Sequence, residues 1–313
     1  MFSSIFHVAF DILTVVLAIS LLVYVRKFRR RLSYNIERQT ADLQRSNEST
    51  GALHLVISIG KCGGSTLGTT LREAFHPLPI PHVHVISQKG MTLAADTWLH
   101  EAADQRARDT IIGHLKGAQM ARVSIEERRA RYGRPIGYYT CGVREPVALA
   151  VSGYFQSFDP RRPIEGFSLE NAYKEVLEHP VFTNSGMYLD GLDAWFDREI
   201  KDVLGIDVFQ HSFDQNNGYQ LIDSNGVRLL VIRQENFHSL SQAFGNLYRS
   251  PEQLFIINDY NRTKDKAFHS TYAETVSKIR FTKKHLDAVY QTRYARHFYS
   301  EEEIESFRNK WLE

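Results

Sequence analysis

The chain has 313 residues, 43% hydrophobic, 24% charged and 12% aromatic, which excludes a collagenous, low-complexity or wholly disordered polymer. Two cysteines cannot staple a small secreted domain, and the length suits one ordinary α/β domain or two smaller ones. The net charge of +2 conceals an uneven distribution.

Ile5 to Val25 is an apolar run of the length a helix needs to cross a bilayer, with His7 and Asp11 as its costliest members. Arg26, Lys27, Arg29, Arg30 and Arg31 follow at once, and Met1 to Ser4 carry no charged side chain. The positive-inside rule then predicts a retained single-span anchor with everything after it on the cytoplasmic side, as at a bacterial inner membrane. Neither a basic leader nor a small-residue cleavage site marks a signal peptide. Residues 1–31 read as the anchor with its basic flank, 32–51 as a juxtamembrane linker, and 52–313 as one α/β domain. Beyond residue 31 the balance is 33 basic to 35 acidic residues, a net of −2, so no broad basic surface argues for nucleic acid. The lipid bilayer is the partner that the basic block implies.

Leu53 to Ile59 is β-rich without helical spacing and predicts a buried parallel strand. His82 to Ser87, Thr110 to Gly113, Gly137 to Val143 and Val227 to Ile232 read the same way. Helices are expected over 67–75, 92–108, 118–132, 168–179 and 187–203. Asn216-Asn217-Gly218 predicts a hairpin, and Ser300 with Glu303 a capping box for the last helix. The alternation implies a P-loop-like, mostly parallel sheet flanked by helices.

Two motifs fall at strand ends, where open parallel sheets bind their ligands. In Gly60-Lys61-Cys62-Gly63-Gly64-Ser65-Thr66-Leu67, paired glycines let backbone approach an anion, and the helix start offers free N–H groups. Lys61 precedes the glycines, unlike the Walker A order. In Thr140-Cys141-Gly142-Val143-Arg144-Glu145-Pro146, continuing to Ser152-Gly153-Tyr154-Phe155, Arg144 ends a strand and suits a phosphate monoester. Ser152 shares a site with Arg144 only if the strand end folds back over the following helix.

Together the two segments resemble the K-x-G-G-[ST]-[ST]-L and R-[DE]-P-x-x-x-x-x-S-x-Y-F segments of the sulfotransferase superfamily. Further likeness runs through Trp195 to Lys201, Gly205 to Val208 and Ala295 to Ile304, similar to bacterial sulfotransferase-like proteins labelled capsular polysaccharide synthesis proteins. The resemblance implies 3′-phosphoadenosine 5′-phosphosulfate (PAPS) as donor; sulfuryl transfer needs no metal, and the anchor favours a membrane-associated acceptor, a hydroxyl of a glycan or glycolipid. It implies that Lys61, Gly63, Gly64, Ser65 and Thr66 meet the phosphosulfate and that Arg144 and Ser152 meet the 3′-phosphate. Glu145 departs from the commoner Asp, with little expected consequence. Lys61 is the expected catalytic cation. His114, read as ending a strand, is the favoured catalytic base, with His82, His84 and Glu73 as alternatives. Two other classes remain: a P-loop kinase or NTPase, and a non-catalytic membrane scaffold subunit of polysaccharide assembly; whichever holds, the oligomeric state is open, a dimer included.

Overall fold

The computed structural model describes residues 52–76, 78–101, 105–158, 161, 163–250, 255–257 and 265–313. The expected anchor and linker lie outside the described residues. Among the described residues, no helix is long and apolar enough to cross a membrane.

Strand β1 (Leu53–Ile57) leads through the Lys61 loop into helix α1 (Gly64–Ala74). Strand β2 (His82–Val83) is followed by helices α2 (Gln88–Glu101) and α3 (Gln105–Tyr132), then by β3 (Gly137–Val143) and α4 (Pro146–Tyr154). After α5 (Leu169–Glu178) and α6 (Pro180–Thr183), helix α7 (Gly191–Phe196) opens into a π turn, Asp197–Lys201, and closes on α8 (Asp202–Leu204). The hairpin β4 (Tyr219–Ser224) and β5 (Val227–Arg233) precedes α9 (Leu240–Leu247). Helices α10 (His269–Lys278), α11 (Lys283–Tyr290), α12 (Arg293–Phe298) and α13 (Glu301–Trp311) complete the order.

The sheet order is β2-β1-β3-β5-β4, parallel except for β4 at one edge. Because side chains alternate along a strand, each strand feeds two apolar layers. Leu229 and Val231 join one core with Leu55, Ile57, Ala121 and Ile125. Leu230 and Ile232 join the other with Val56, Leu67, Leu71 and Phe244. The result is a sheet between two helical layers, as the strand–helix alternation implies.

Four local expectations are corrected. Thr110 to Gly113 is not a strand but part of α3. Its β-branched run is overridden because Ala118, Ala121, Ile125 and Arg128 form a buried stripe at helical spacing that continues the helix across it. The strand expected from His82 stops at Val83, since Ile86 and Ser87 give their N–H groups to the Glu199 carboxylate instead of a ladder (both 2.7 Å). The span 187–203 is not one helix; Asp190 (φ 67°) turns the backbone left-handed just before α7. The β4–β5 turn is Asn225-Gly226, both at positive φ as a two-residue hairpin requires. At 214–218 the Asp214 carboxylate accepts from the N–H groups of Asn216 and Asn217, closing a tight turn on one bridge to Tyr219. The capping box forms as expected: Glu303 N–H donates to Ser300 Oγ (3.2 Å) and Ser300 N–H to Glu303 Oε2 (2.9 Å).

Candidate functional site

The Lys61 loop leaves the carboxyl end of β1 and is pressed between its neighbours. A Cβ on Gly64 would come within 2.1 Å of His82 Nε2 and 2.3 Å of Ser58 Oγ. One on Gly142 would come within 2.2 Å of the Cys62 carbonyl oxygen. Glycine at these two positions is what lets the loop lie directly on β2 and β3. Gly63 caps α1 at φ 75°, and Lys61 itself sits at φ 65°, a conformation an L side chain adopts at a cost of about 1–3 kcal/mol. Ser65 and Thr66 occupy the first turn of α1, where N–H groups have no helical partner.

Arg144, just past β3, reaches the same loop: its Nη1 donates to the Lys61 carbonyl (3.2 Å) and its Nη2 to Tyr272 Oη (3.5 Å). The Tyr294 hydroxyl accepts from the Arg144 N–H (3.0 Å) and donates to the Arg144 carbonyl (2.8 Å), clamping its backbone. Ser152 lies buried two turns along α4 and makes no hydrogen bond to Arg144 among the described residues. Tyr272, which accepts from Arg144, packs edge-on against Phe155 (5.1 Å), three residues past Ser152. Glu145 matters more than its conservative difference from Asp implied. It caps α4 through Val147 and Ala148 N–H (both 2.7 Å) and accepts from Tyr290 Oη (2.5 Å) and Trp311 Nε1 (3.2 Å). The C-terminal helices thus hang on the Arg144 motif.

Electrostatics set this loop apart. Burial first, then repulsion from Lys266 and Arg144, lowers the Lys61 pKa to about 8. No carboxylate figures among the charges acting on Lys61. Glu235 is the counter-charge that acts on Arg144, but Lys61 has none, and a buried loop lysine repelled by two cations describes a place for an anion. Cys62 and Cys141 are both buried, and burial pushes each thiol up, so they stay protonated.

Three histidines stand beside the loop. His82 Nε2 meets Ser58 Oγ (3.0 Å), while His84 Nδ1 meets the Ser58 carbonyl (2.8 Å). A carbonyl only accepts, so His84 carries its proton on Nδ1 and leaves the Nε2 lone pair free. Burial, chiefly, lowers the His84 pKa to about 4, with His114 and Lys61 adding repulsion. His114 stands on α3, not at a strand end, yet its ring lies 6.0 Å from His84 and 6.4 Å from Trp98. The helix therefore brings it to the site for a reason other than the one that singled it out.

The segment after residue 171 holds these groups in place. Glu199, fully buried, accepts from Ile86 N–H, Ser87 N–H, Ser87 Oγ (2.9 Å) and Arg198 Nε (2.8 Å). Trp195 Nε1 donates to the His84 carbonyl (3.1 Å). Asp193 accepts from the first N–H groups of α12 (2.5 Å at Tyr294), which carries the Tyr294 clamp. Residues 172–300 match the family model described as "Putative capsular polysaccharide synthesis protein". Comparison with curated proteins and with solved structures found no match. The matched segment contains the Trp195–Lys201 and Gly205–Val208 stretches and Ala295 to Ser300, and it links this part of the chain to polysaccharide biosynthesis. Lys61, His84, His114, Arg144 and Ser152 all lie outside it.

Sequence reasoning passed over Tyr272, Tyr294, Lys266, Glu199 and Trp98. Only Glu199 carried a signal, as part of the Trp195–Lys201 likeness; the others sit in segments with no readable motif.

Proposed function

We propose that the protein is a sulfotransferase that moves a sulfuryl group from PAPS to a hydroxyl of a glycan or glycolipid. The observation that carries the reading is Lys61, repelled by Arg144 and Lys266 with no carboxylate acting on it, in a strand–helix loop whose backbone Arg144 bonds. A donor with phosphate and sulfate groups supplies the missing charge, with Gly63, Gly64, Ser65 and Thr66 at the phosphosulfate and Arg144 and Ser152 at the 3′-phosphate. Transfer forms a sulfur–oxygen bond to the acceptor as the bond to the nucleotide phosphate breaks. The acceptor proton passes to an imidazole, and Lys61 offsets the charge growing on the leaving oxygen. His84 and His114 together are the base: His84 presents a lone pair of fixed tautomer, and His114 lies between it and solvent.

Polysaccharide biosynthesis, which the matched family names, supports a sugar acceptor. A kinase would need a free carboxylate for Mg²⁺ at the end of β5. Glu235 stands there, but its oxygens accept from Glu145 N–H (2.8 Å) and Tyr299 Oη (3.2 Å).

Calorimetry with 3′-phosphoadenosine 5′-phosphate tests the reading. Binding without Mg²⁺, lost in Lys61→Ala, is expected, as is transfer of [35S]sulfate from PAPS into a glycan fraction. Absence of binding, or binding only with Mg²⁺, rejects it. Single-turnover rates of His84→Ala and His114→Ala, both binding nucleotide normally, should fall; normal rates in both would remove the pair from the mechanism.

A further inference from the structure

The three tryptophans of the chain have different surroundings. Trp195 and Trp311 are fully buried, and each indole N–H is bonded, to the His84 carbonyl and to Glu145. Buried indoles nearly always find such a partner. Trp98 is only partly buried, so its indole reaches solvent. Its ring stands at steep angles to His84 (6.0 Å) and His114 (6.4 Å), so a partly exposed indole borders the histidine pair.

Helix geometry explains why this wall exists. α3 has 28 residues, about 42 Å at 1.5 Å per residue, whereas the seven residues of β3 span about 23 Å. The end of α3 feeds the start of β3, so its first half projects past the carboxyl ends of the strands, over the site. No residue from 107 to 117 is buried, and burial begins at Ala118. Within this overhang, positions 113 and 117 are glycines with nothing within 4 Å of where a Cβ would stand, leaving the helix surface bare on either side of His114.

We propose that Trp98 and His114 form an acceptor subsite that takes the apolar face of a pyranose ring and sets one of its hydroxyls toward His84. An indole face matches the axial C–H surface of a sugar, the indole N–H and imidazole nitrogens match its hydroxyls, and the bare helix gives the ring room. The identity of the reaction that hydroxyl enters rests on the sulfuryl-transfer reading; the binding does not.

The experiment titrates the full chain with methyl pyranosides of glucose, galactose and mannose and follows tryptophan emission, then repeats the titration by saturation-transfer NMR on variants. Emission should change saturably with at least one sugar, because Trp98 is the tryptophan with exposed surface. Trp98→Ala should weaken binding roughly tenfold, the loss of one aromatic contact, while Trp98→Tyr keeps most of it. Both variants should still bind 3′-phosphoadenosine 5′-phosphate. No saturable response to any of the three sugars, or equal affinity in Trp98→Ala, overturns the subsite. A sugar response without nucleotide binding leaves the subsite standing and overturns the sulfuryl-transfer reading instead.

Discussion

Apart from Lys266, every group here with a movable charge or a free lone pair lies before residue 172: Lys61, His84, His114 and Arg144. The groups that immobilise them, Trp195, Glu199, Tyr272, Tyr294 and Asp193, lie after it. The first set is electrostatically unsatisfied: Lys61 is held near pKa 8 and His84 near 4. The second set is tied by hydrogen bonds, Glu199 by four donors. Lys61 combines a left-handed backbone with a charge that has no carboxylate beside it, the two features that a bound anion would offset. The family match falls on the second set, so what that model describes is mainly the frame.

If that division is correct, substitutions should separate by side. Glu199→Gln has the largest expected effect, because a buried carboxylate with four donors cannot be replaced by an amide without orphaning some of them. A loss of about 3–5 kcal/mol is expected in denaturant unfolding; an unchanged midpoint would end the idea of a frame. Lys61→Met should act oppositely, lowering nucleotide affinity about a hundredfold while raising thermal stability, on the order of 1–3 kcal/mol. The sign follows from linkage: the folded pKa near 8 lies below the unfolded value, so a charged Lys61 costs stability below pH 8 and that cost fades as pH rises toward about 10.4. For the same reason nucleotide affinity should fall above pH 8 in the wild type and lose that limb in Lys61→Met, as calorimetry across pH 6.5–9.5 would show. Tyr294→Phe removes the clamp on Arg144 and should cost about 1–2 kcal/mol, seen mainly as weaker donor binding. Ser300→Ala, far from the charges, should cost about 1 kcal/mol of stability through its cap and leave affinity untouched.

Much of the fold was legible because it depends on short-range pattern. The β-rich runs at Leu53, Gly137 and Val227 became parallel strands, and Ser300-x-x-Glu303 became a cap. The strand expected at Thr110 failed for a reason that pattern cannot supply, since a β-branched triplet yields when a longer stripe from Ala118 to Arg128 packs as helix. Asn225-Gly226 was the stronger hairpin signal, and Asn216-Asn217-Gly218 drew attention because its side chains favour turns of another kind.

By itself, the sequence determined the α/β alternation and placed Lys61 and Arg144 at strand ends, since both follow from local spacing and strand periodicity. It also carries the apolar run and basic block of the first 31 residues as a membrane expectation. Only the tertiary structure decided that Arg144 bonds the Lys61 carbonyl, that His84 is held in one tautomer by Ser58, and that an overlong α3 carries His114 to Trp98. These contacts join residues 16 to 83 positions apart, and chain separation leaves no local trace of such pairings until the sheet order and the helix length bring them together.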